Sequence, residues 1–467
     1  MKTYNKITLL IVMGLFLSCS ESFLEVSPQS SVSNEDALTS LEDLETSITG
    51  VYDEFQSAYY YGRYMFLIPD VMADDVKQNE QANRVVDYAQ HVQSVSDAQA
   101  SALWTGLYYS NNALNNIINS DIEVTAASQD EKDHIMGEAY ALRGMIYFDL
   151  VRLFANHYTY TSDASHLGVP IILDFDYTIE PTRNTVAEVY DQIISDMTTA
   201  LTLIGDTSRS GDSSTLSAIA VKALLARVYL YMEDWENAEA MATEVIETGG
   251  FSLIENADYL TLWSQDNTSE SIFEISQTEP DNQGGNNLGA MYVVDGYGDY
   301  LPSNDVISLY DPNDARLQIF IEDELLAGDY APYRMNKYPD VLGYDNIKVM
   351  RLAEIYLIRA EARAQIGTNI TGAQEDLNKV RQRALPSAPD VTATGEALIE
   401  EILLERRLEL CFEGQRLWDL MRYKKDIVRN QCTASICYIP YGDDTNILPI
   451  PQNETDVNPN IEQNPGY

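Results

Sequence analysis

The stretch at residues 222–245, KALLARVYLYMEDWENAEAMATEV, decides the fold. Leu225, Ala226, Tyr229 and Ala238 stand at the spacing of a tetratricopeptide-type helix pair, with Asp234 and Trp235 at the turn between its arms. Small side chains at Ala226 and Ala238 let two helices approach, and Tyr229 fills the space beside them. Residues 351–366 and 372–384 repeat this logic with Ala353, Ala360, Ala364, Ala373 and Leu377, and Gly367 ends the first arm. The two loops differ in length, so the repetition is degenerate. Stacked pairs of this kind bury a continuous core and leave a long face for binding. The expected fold class is mainly α: a tetratricopeptide-like α/α superhelical scaffold with long irregular excursion loops and a few short β-strands.

The helical period continues outward from these pairs. From Asn34, read as an N-cap, apolar residues fall at Leu38, Leu41, Leu44, Ile48, Val51, Tyr52 and Phe55. A helix from Asp97 runs through Leu103, Trp104, Leu107, Tyr108, Leu114 and Ile117, and another covers residues 129–154. Residues 185–203, 215–231, 235–248, 350–366, 395–412 and 415–425 read the same way. Between them lie long irregular stretches at 70–96, 155–184, 249–345 and 434–467. Loops of that length are functional or carry small strands of their own. Ser271–Ile275 alternates like a strand, and residues 169–173 are a second strand candidate. The tail from Asn446, with Pro449, Pro451, Pro459 and Pro465, is expected to be extended and not helical.

At the amino end an apolar run from Ile7 to Leu17 follows Lys2 and Lys6 and stops at Ser18 and Cys19. It is too short for a spanning helix, which needs about 20 residues, and describes an export signal that is removed. Cys19 stands where the lipobox of bacterial lipoproteins has its acylated cysteine, although Phe16 takes the usual place of leucine. The alternative is an ordinary secretory signal with an incidental cysteine. No second apolar stretch is long enough to cross a bilayer, which leaves the lipid (palmitate) on Cys19 as the anchor. The expected organisation is a signal peptide at 1–18, a helical N-terminal region at 19–250, and a C-terminal region at 251–467. The last divides into excursion loops (251–345), a helical block (346–429) and an extended tail (430–467).

The chain carries 29 basic and 73 acidic residues. That balance excludes a nucleic-acid partner, because phosphate neutralisation needs clustered Lys and Arg. Residues 348–429 hold 14 basic and 13 acidic residues, so the remainder has 15 against 60. The near-neutral block has enough opposite charges to pair internally; the rest presents an acidic, solvated face. Cys432 and Cys437 are close enough to close a small disulfide loop in an oxidising compartment, and Cys411 reads as a buried thiol.

Several ordered segments carry a resemblance. Residues 23–29 (FLEVSPQ), 137–143 (GEAYALR) and 147–154 (YFDLVRLF) are followed by 351–362 (RLAEIYLIRAEA) and 376–381 (DLNKVR). Then come Glu405-Arg406-Arg407-Leu408-Glu409-Leu410, Phe412-Glu413-Gly414, Trp418-Asp419-Leu420 and Arg422, and the ending with Leu448-Pro449-Ile450-Pro451, Asn458-Pro459-Asn460 and Gln463-Asn464-Pro465-Gly466-Tyr467. Together they resemble the SusD/RagB family of surface lipoproteins in nutrient-uptake systems. The resemblance implies a tetratricopeptide-like scaffold without enzyme activity or cofactor, at the cell outer membrane and facing the exterior. It also implies a partner, a SusC-like TonB-dependent transporter over which the lipoprotein acts as a hinged lid. The implied cargo is an oligosaccharide or, in some members, a peptide.

Glu405, Glu409 and Glu413, four residues apart, invite a catalytic reading, since paired carboxylates hydrolyse glycosides. The alternative is an ion-paired network between two helices, formed with Arg406, Arg407, Arg416, Asp419 and Arg422. With 73 acidic residues some close pair is inevitable, and G-x-S-x-G, H-E-x-x-H, Walker and G-x-G-x-x-G patterns are absent. The four histidines show no metal-ligand spacing, and the acidic loops at 281–289 and 311–314 lack the EF-hand pattern for Ca²⁺. Sugars present apolar C–H faces edged with hydroxyls, so their sites pair flat rings with a few fixed polar groups. Two excursions supply such residues: Asn79, Asn83, Arg84 and Tyr88, beside Lys77, in the first, and Tyr292, Tyr297 and Tyr300 in the second. Gly296 and Gly298 permit the tight turns that expose rings. Trp104, Asn111 and Trp235 read as structural, while Trp263 and the run Tyr59-Tyr60-Tyr61 stay open between core and surface.

Overall fold

Ser40 opens α1 (Leu41–Phe55): its hydroxyl accepts from Asp43 N at 3.2 Å, and the Asp43 carboxylate accepts from Ser40 N at 2.9 Å. This reciprocal box satisfies two amide donors that a helix end leaves open. Leu38, expected inside this helix, lies ahead of its cap. The computed structural model describes residues 38–174, 176, 178–326, 332–430, 432 and 436–467. Asn34, the export signal, Cys19 and the 23–29 segment lie outside the described residues.

The α-helices of six residues or more that follow are α2 (Tyr64–Met72), α3 (Ala98–Ile118), α4 (Gln129–Phe154), α5 (Val186–Leu203), α6 (Ala218–Met232) and α7 (Trp235–Thr248). After the second excursion come α8 (Leu352–Ile366), α9 (Ile370–Ala384), α10 (Glu396–Leu410), α11 (Arg416–Arg422) and α12 (Gln452–Val457). From α3 to α10 each helix packs on the next, the stacked architecture expected from residues 222–245. In that pair Leu225, Ala226 and Ala238 are buried and Tyr229 is half-buried. Asp234 caps α7 by accepting from Asn237 N at 3.3 Å. In the second pair Gly367 closes α8 in the left-handed region at φ +78°. Its apolar face (Ala353, Leu357, Ala360, Leu377, with Leu398 and Ile402 of α10) forms a small core of its own beside the main one.

Helix α2 is buried on every side and contains Pro69, so its sequence shows no amphipathic stripe to announce it. Its last carbonyls are capped by Arg429, which donates to Val71 O at 2.9 Å and to Met72 O and Ala73 O at 2.8 Å. A cation at a helix C-terminus opposes the helix dipole favourably. Burial lowers this guanidinium to about 10.

Among the described residues the strands form four antiparallel pairs: β1 (Val76–Gln78) with β3 (Tyr300–Pro302), β2 (Ser271–Ile275) with β6 (Ile347–Arg351), β4 (Phe320–Glu322) with β5 (Tyr333–Met335), and β7 (Ile427–Val428) with β8 (Tyr438–Ile439). The strand read at Ser271–Ile275 is present, though buried on both faces. Residues 169–173 are not a strand. Beyond Val169 O, which accepts from Asn184 N at 3.2 Å, their backbone is spent on side chains: Tyr108 Oη donates to Pro170 O at 2.8 Å, and Asn111 and Asn115 donate to Ile172 O at 2.9 Å. The tail is corrected too. Pro449, Pro451 and Pro459 flank but do not enter residues 452–457, which form α12, because a proline just ahead of a helix removes no helical hydrogen bond. Cys432 and Cys437 form a disulfide. Cys411 is buried, and burial pushes its thiol up to about 11.

Candidate functional site

The carboxylates of Glu405, Glu409 and Glu413 are closed to solvent and saturated with cations. Glu409, 0 % exposed, accepts from Arg383 at 2.6 Å, Arg351 at 3.1 Å and Arg316 at 3.2 Å. Glu405 takes Arg316 at 2.6 Å and Arg381 at 3.1 Å; Glu413 takes Lys337 and Arg351, each at 2.7 Å. Burial works against the charge on Glu409, but the surrounding guanidiniums outweigh it and hold the carboxyl far below its ordinary range. A glycosidase needs one acid raised and open to substrate. This network is a frame.

The frame grips the first excursion. Arg416 Nε donates to Asp74 Oδ1 at 2.7 Å and Arg407 Nε to Asp75 Oδ1 at 2.6 Å, just before β1. Ser303 closes the other side, with N to Asp75 O at 2.8 Å and Oγ to Asp74 O at 3.0 Å. Between these anchors β1 and β3 pair in the register Val76↔Pro302, Lys77↔Leu301 and Gln78↔Tyr300. The two expected binding segments are therefore one structural unit.

Past the ladder, Asn79 N donates to Asp299 O at 2.9 Å and Asn79 Nδ2 to Gly298 O at 3.0 Å. Arg84 Nη1 donates to Asp299 Oδ2 at 3.2 Å and to Asn83 Oδ1 at 3.0 Å. Its guanidinium lies over the Tyr297 ring, 3.3 Å from the centroid. Tyr297 is 45 % exposed. Gly298 explains the projection: its φ is +58°, and a Cβ there would collide with the Arg334 guanidinium, which donates to Gly298 O at 2.9 Å. Gly296 lets the turn close on Ala290, whose carbonyl accepts from Tyr297 N at 2.6 Å.

Asn79, Asn83, Arg84 and Tyr297 thus gather on one partly exposed face. The other three expected contacts are corrected, because Tyr88, Tyr292 and Tyr300 are each 0 % exposed. Tyr88 donates to Asp97, Tyr292 stands edge-on to Phe412 at 5.2 Å, and Tyr300 donates to Arg84 O at 2.5 Å. Burial raises all three phenols, and no face of any ring is open for stacking. Lys77 is buried within the ladder. Asp299 and Arg334, which hold the face together, went unread in the sequence; a carboxylate beside a glycine-bracketed tyrosine was the only signal. Of the open aromatic residues, Tyr60 and Tyr61 both donate to Asp149 in the core, Tyr59 is half exposed, and Trp263 is buried beneath Lys337. Among the described residues no group of three or more His, Cys, Asp or Glu side chains is arranged to hold a metal.

The comparisons with known proteins agree with this architecture. Residues 22–230 match a family described as "Starch-binding associating with outer membrane", and residues 333–467 match the SusD family. The SusD-like protein P38 of Formosa agariphila is 28% identical, over 91% of this chain and 93% of that protein. The starch-binding protein SusD of Bacteroides thetaiotaomicron is 33% identical over 150 residues, 30% of this chain and 24% of that protein. A crystal structure of a SusD superfamily protein from Bacteroides thetaiotaomicron superimposes with a TM-score of 0.83 at 30% identity, over 92% of this chain and 100% of that one. With its stacked α-hairpins and these matches along nearly its whole length, the chain belongs to the SusD family.

Proposed function

We propose that this protein is a non-catalytic surface lipoprotein, acylated on Cys19 after removal of residues 1–18, that captures oligosaccharide on the Tyr297 face. It then delivers the cargo, as the lid subunit, to a SusC-like TonB-dependent outer-membrane transporter. The observation that carries the reading is the joining of segments 215 residues apart: Arg84 and Asp299 meet beside a half-exposed ring, fixed to a buried ionic frame. Rings with fixed amide and guanidinium donors fit the C–H faces and hydroxyls of a sugar. The family description supports a starch- or sugar-binding role at the outer membrane. Burial of Glu405, Glu409 and Glu413 supports capture over hydrolysis.

Calorimetric titration of the mature protein with neutral oligosaccharides, and then with oligopeptides, tests the cargo. Heat from oligosaccharides without turnover products is the expected result. Heat from peptides alone moves the protein to peptide capture, and released sugar products would make it a hydrolase. Membrane fractionation of Cys19→Ala tests the anchor: the variant is expected in the soluble fraction.

A further inference from the structure

Helix α3 carries a second set of rings. Trp104, Tyr108 and Tyr109 share one arc of that helix and line a cavity of about 620 Å³. Pro170, Ile172, Asp174, Asp176 and residues 178–181, together with α12 and the segment after it, form the other walls, and none of this lining belongs to the Tyr297 face. Tyr109 is 63 % exposed and Val457, across the opening, 72 %.

The lining sets the ligand class. The volume lies within the roughly 300–1,000 Å³ of small-molecule sites. Asp174, Asp176, Glu180 and Glu454 line it, with neither Lys nor Arg among the described lining residues, so an anionic ligand would meet repulsion and no counter-charge. At the floor Asn111, 1 % exposed, spends Nδ2 on Ile172 O, while its Oδ1 has no hydrogen-bond partner among the described residues. A buried acceptor left unpaired is costly, and a ligand hydroxyl would satisfy it.

The walls are also fixed in advance. Tyr147 Oη donates to Ile172 O and accepts from Ile172 N, each at 2.7 Å. Asn119 Nδ2 donates to Asp174 Oδ1 at 2.9 Å, and Asn458 Nδ2 to Pro181 O at 2.8 Å. A cavity held open by such bonds loses little entropy when filled.

We propose that this cavity is a second saccharide site, selective for neutral sugars, in which Tyr109 stacks on a C–H face and Asn111 Oδ1 accepts from a hydroxyl. The proposal rests on the saccharide reading given above, but not on the Tyr297 face. Calorimetry on the mature protein tests it, with malto-, cello-, manno- and xylo-oligosaccharides as neutral probes, oligogalacturonate as the anionic probe and oligolysine as the peptide probe. Wild type, Tyr109→Ala and Tyr297→Ala are compared, each checked for folding by thermal melting. The expected result is two equivalents of one neutral sugar per chain, one of them weakened about tenfold or more by Tyr109→Ala and the other by Tyr297→Ala. A single equivalent removed by Tyr109→Ala alone supports the cavity and overturns the Tyr297 face. A single equivalent removed by Tyr297→Ala alone overturns the cavity and leaves the first site standing. Oligogalacturonate or oligolysine binding that Tyr109→Ala abolishes overturns the neutral-sugar assignment, and no heat from any saccharide overturns both sites.

Discussion

Two clusters in this molecule are built from the same residue types to opposite ends. Around Glu409 the guanidiniums of Arg316, Arg351 and Arg383 are at most 5 % exposed, and Arg351 and Lys337 also lie over the ring of Trp263 at 4.9 and 4.4 Å. Around Asp299 the Arg84 side chain is 31 % exposed and lies over a Tyr297 ring that reaches solvent. Cations, carboxylates and aromatic rings are therefore no signature of a binding face. Exposure divides the two, and exposure is set by what the frame encloses. In the first cluster every charge is committed to a neighbour; in the second the ring keeps surface for a ligand.

The largest effect that would break this contrast is in the frame. Glu409→Ala takes one carboxylate from three buried guanidiniums, leaving Asp314 and Glu405 to Arg316, Glu270 and Glu413 to Arg351, and Glu270 to Arg383, and removing one partner of a buried charge costs about 3–5 kcal/mol. Urea unfolding of the variant should show a loss of that size or failure to fold; a midpoint equal to wild type would mean the network is not structural. Next comes Tyr300→Ala, which empties a fully buried ring site beneath Arg84 and should cost about 3 kcal/mol. Ligand affinity measured on a folded Tyr300→Ala sample reports a distorted ladder and not a lost stacking contact.

Glu138 sharpens the comparison as a buried carboxylate with too few partners. Arg209 Nε reaches its Oε2 at 3.1 Å, and Oε1 has no hydrogen-bond partner among the described residues. Burial pushes this carboxyl up to about 7, whereas the cations around Glu409 drive that one down. An acid raised in the folded state stabilises below its ordinary value near 4.5 and loses that contribution as pH rises through about 7. The loss is about 2–3 kcal/mol. Glu138→Gln removes the titration, so its stability relative to wild type should improve by that amount between pH 4.5 and pH 8 in paired urea melts. A pH-independent difference would show that Glu138 ionises normally.

Much of the frame was legible because helix pairs with small residues at fixed spacings have few other ways to pack. The stretch at 222–245 and the pair around Gly367 gave the stacking directly. The all-buried α2 was not legible, since a helix apolar on every side shows no period, and neither was α12, where prolines at the flanks mimic an extended tail. At the candidate site the two segments were readable as a composition of amides, arginine and tyrosines. Which rings turn inward was not. Tyr300 and Tyr297 are three residues apart, and only the ladder register with Gln78 and the left-handed Gly298 send one into the core and the other out. Such register is a long-range property that local sequence does not carry.

The smallest expected effect on stability is also the most direct probe of function. In Tyr297→Ala the lost ring is half exposed, and the Arg84–Asp299 pair beneath it keeps its own bond, so the unfolding free energy from urea melts should change by less than about 0.5 kcal/mol. Affinity for the captured oligosaccharide should fall about tenfold, about 1.4 kcal/mol, if one sugar face stacks there. Arg84→Ala works in the opposite sense on the two readouts. It uncovers a ring face, yet it leaves Asp299, 4 % exposed, without its guanidinium, so stability should fall by more than in Tyr297→Ala. Binding that survives Tyr297→Ala and fails in Arg84→Ala would assign capture to the guanidinium and not to the ring.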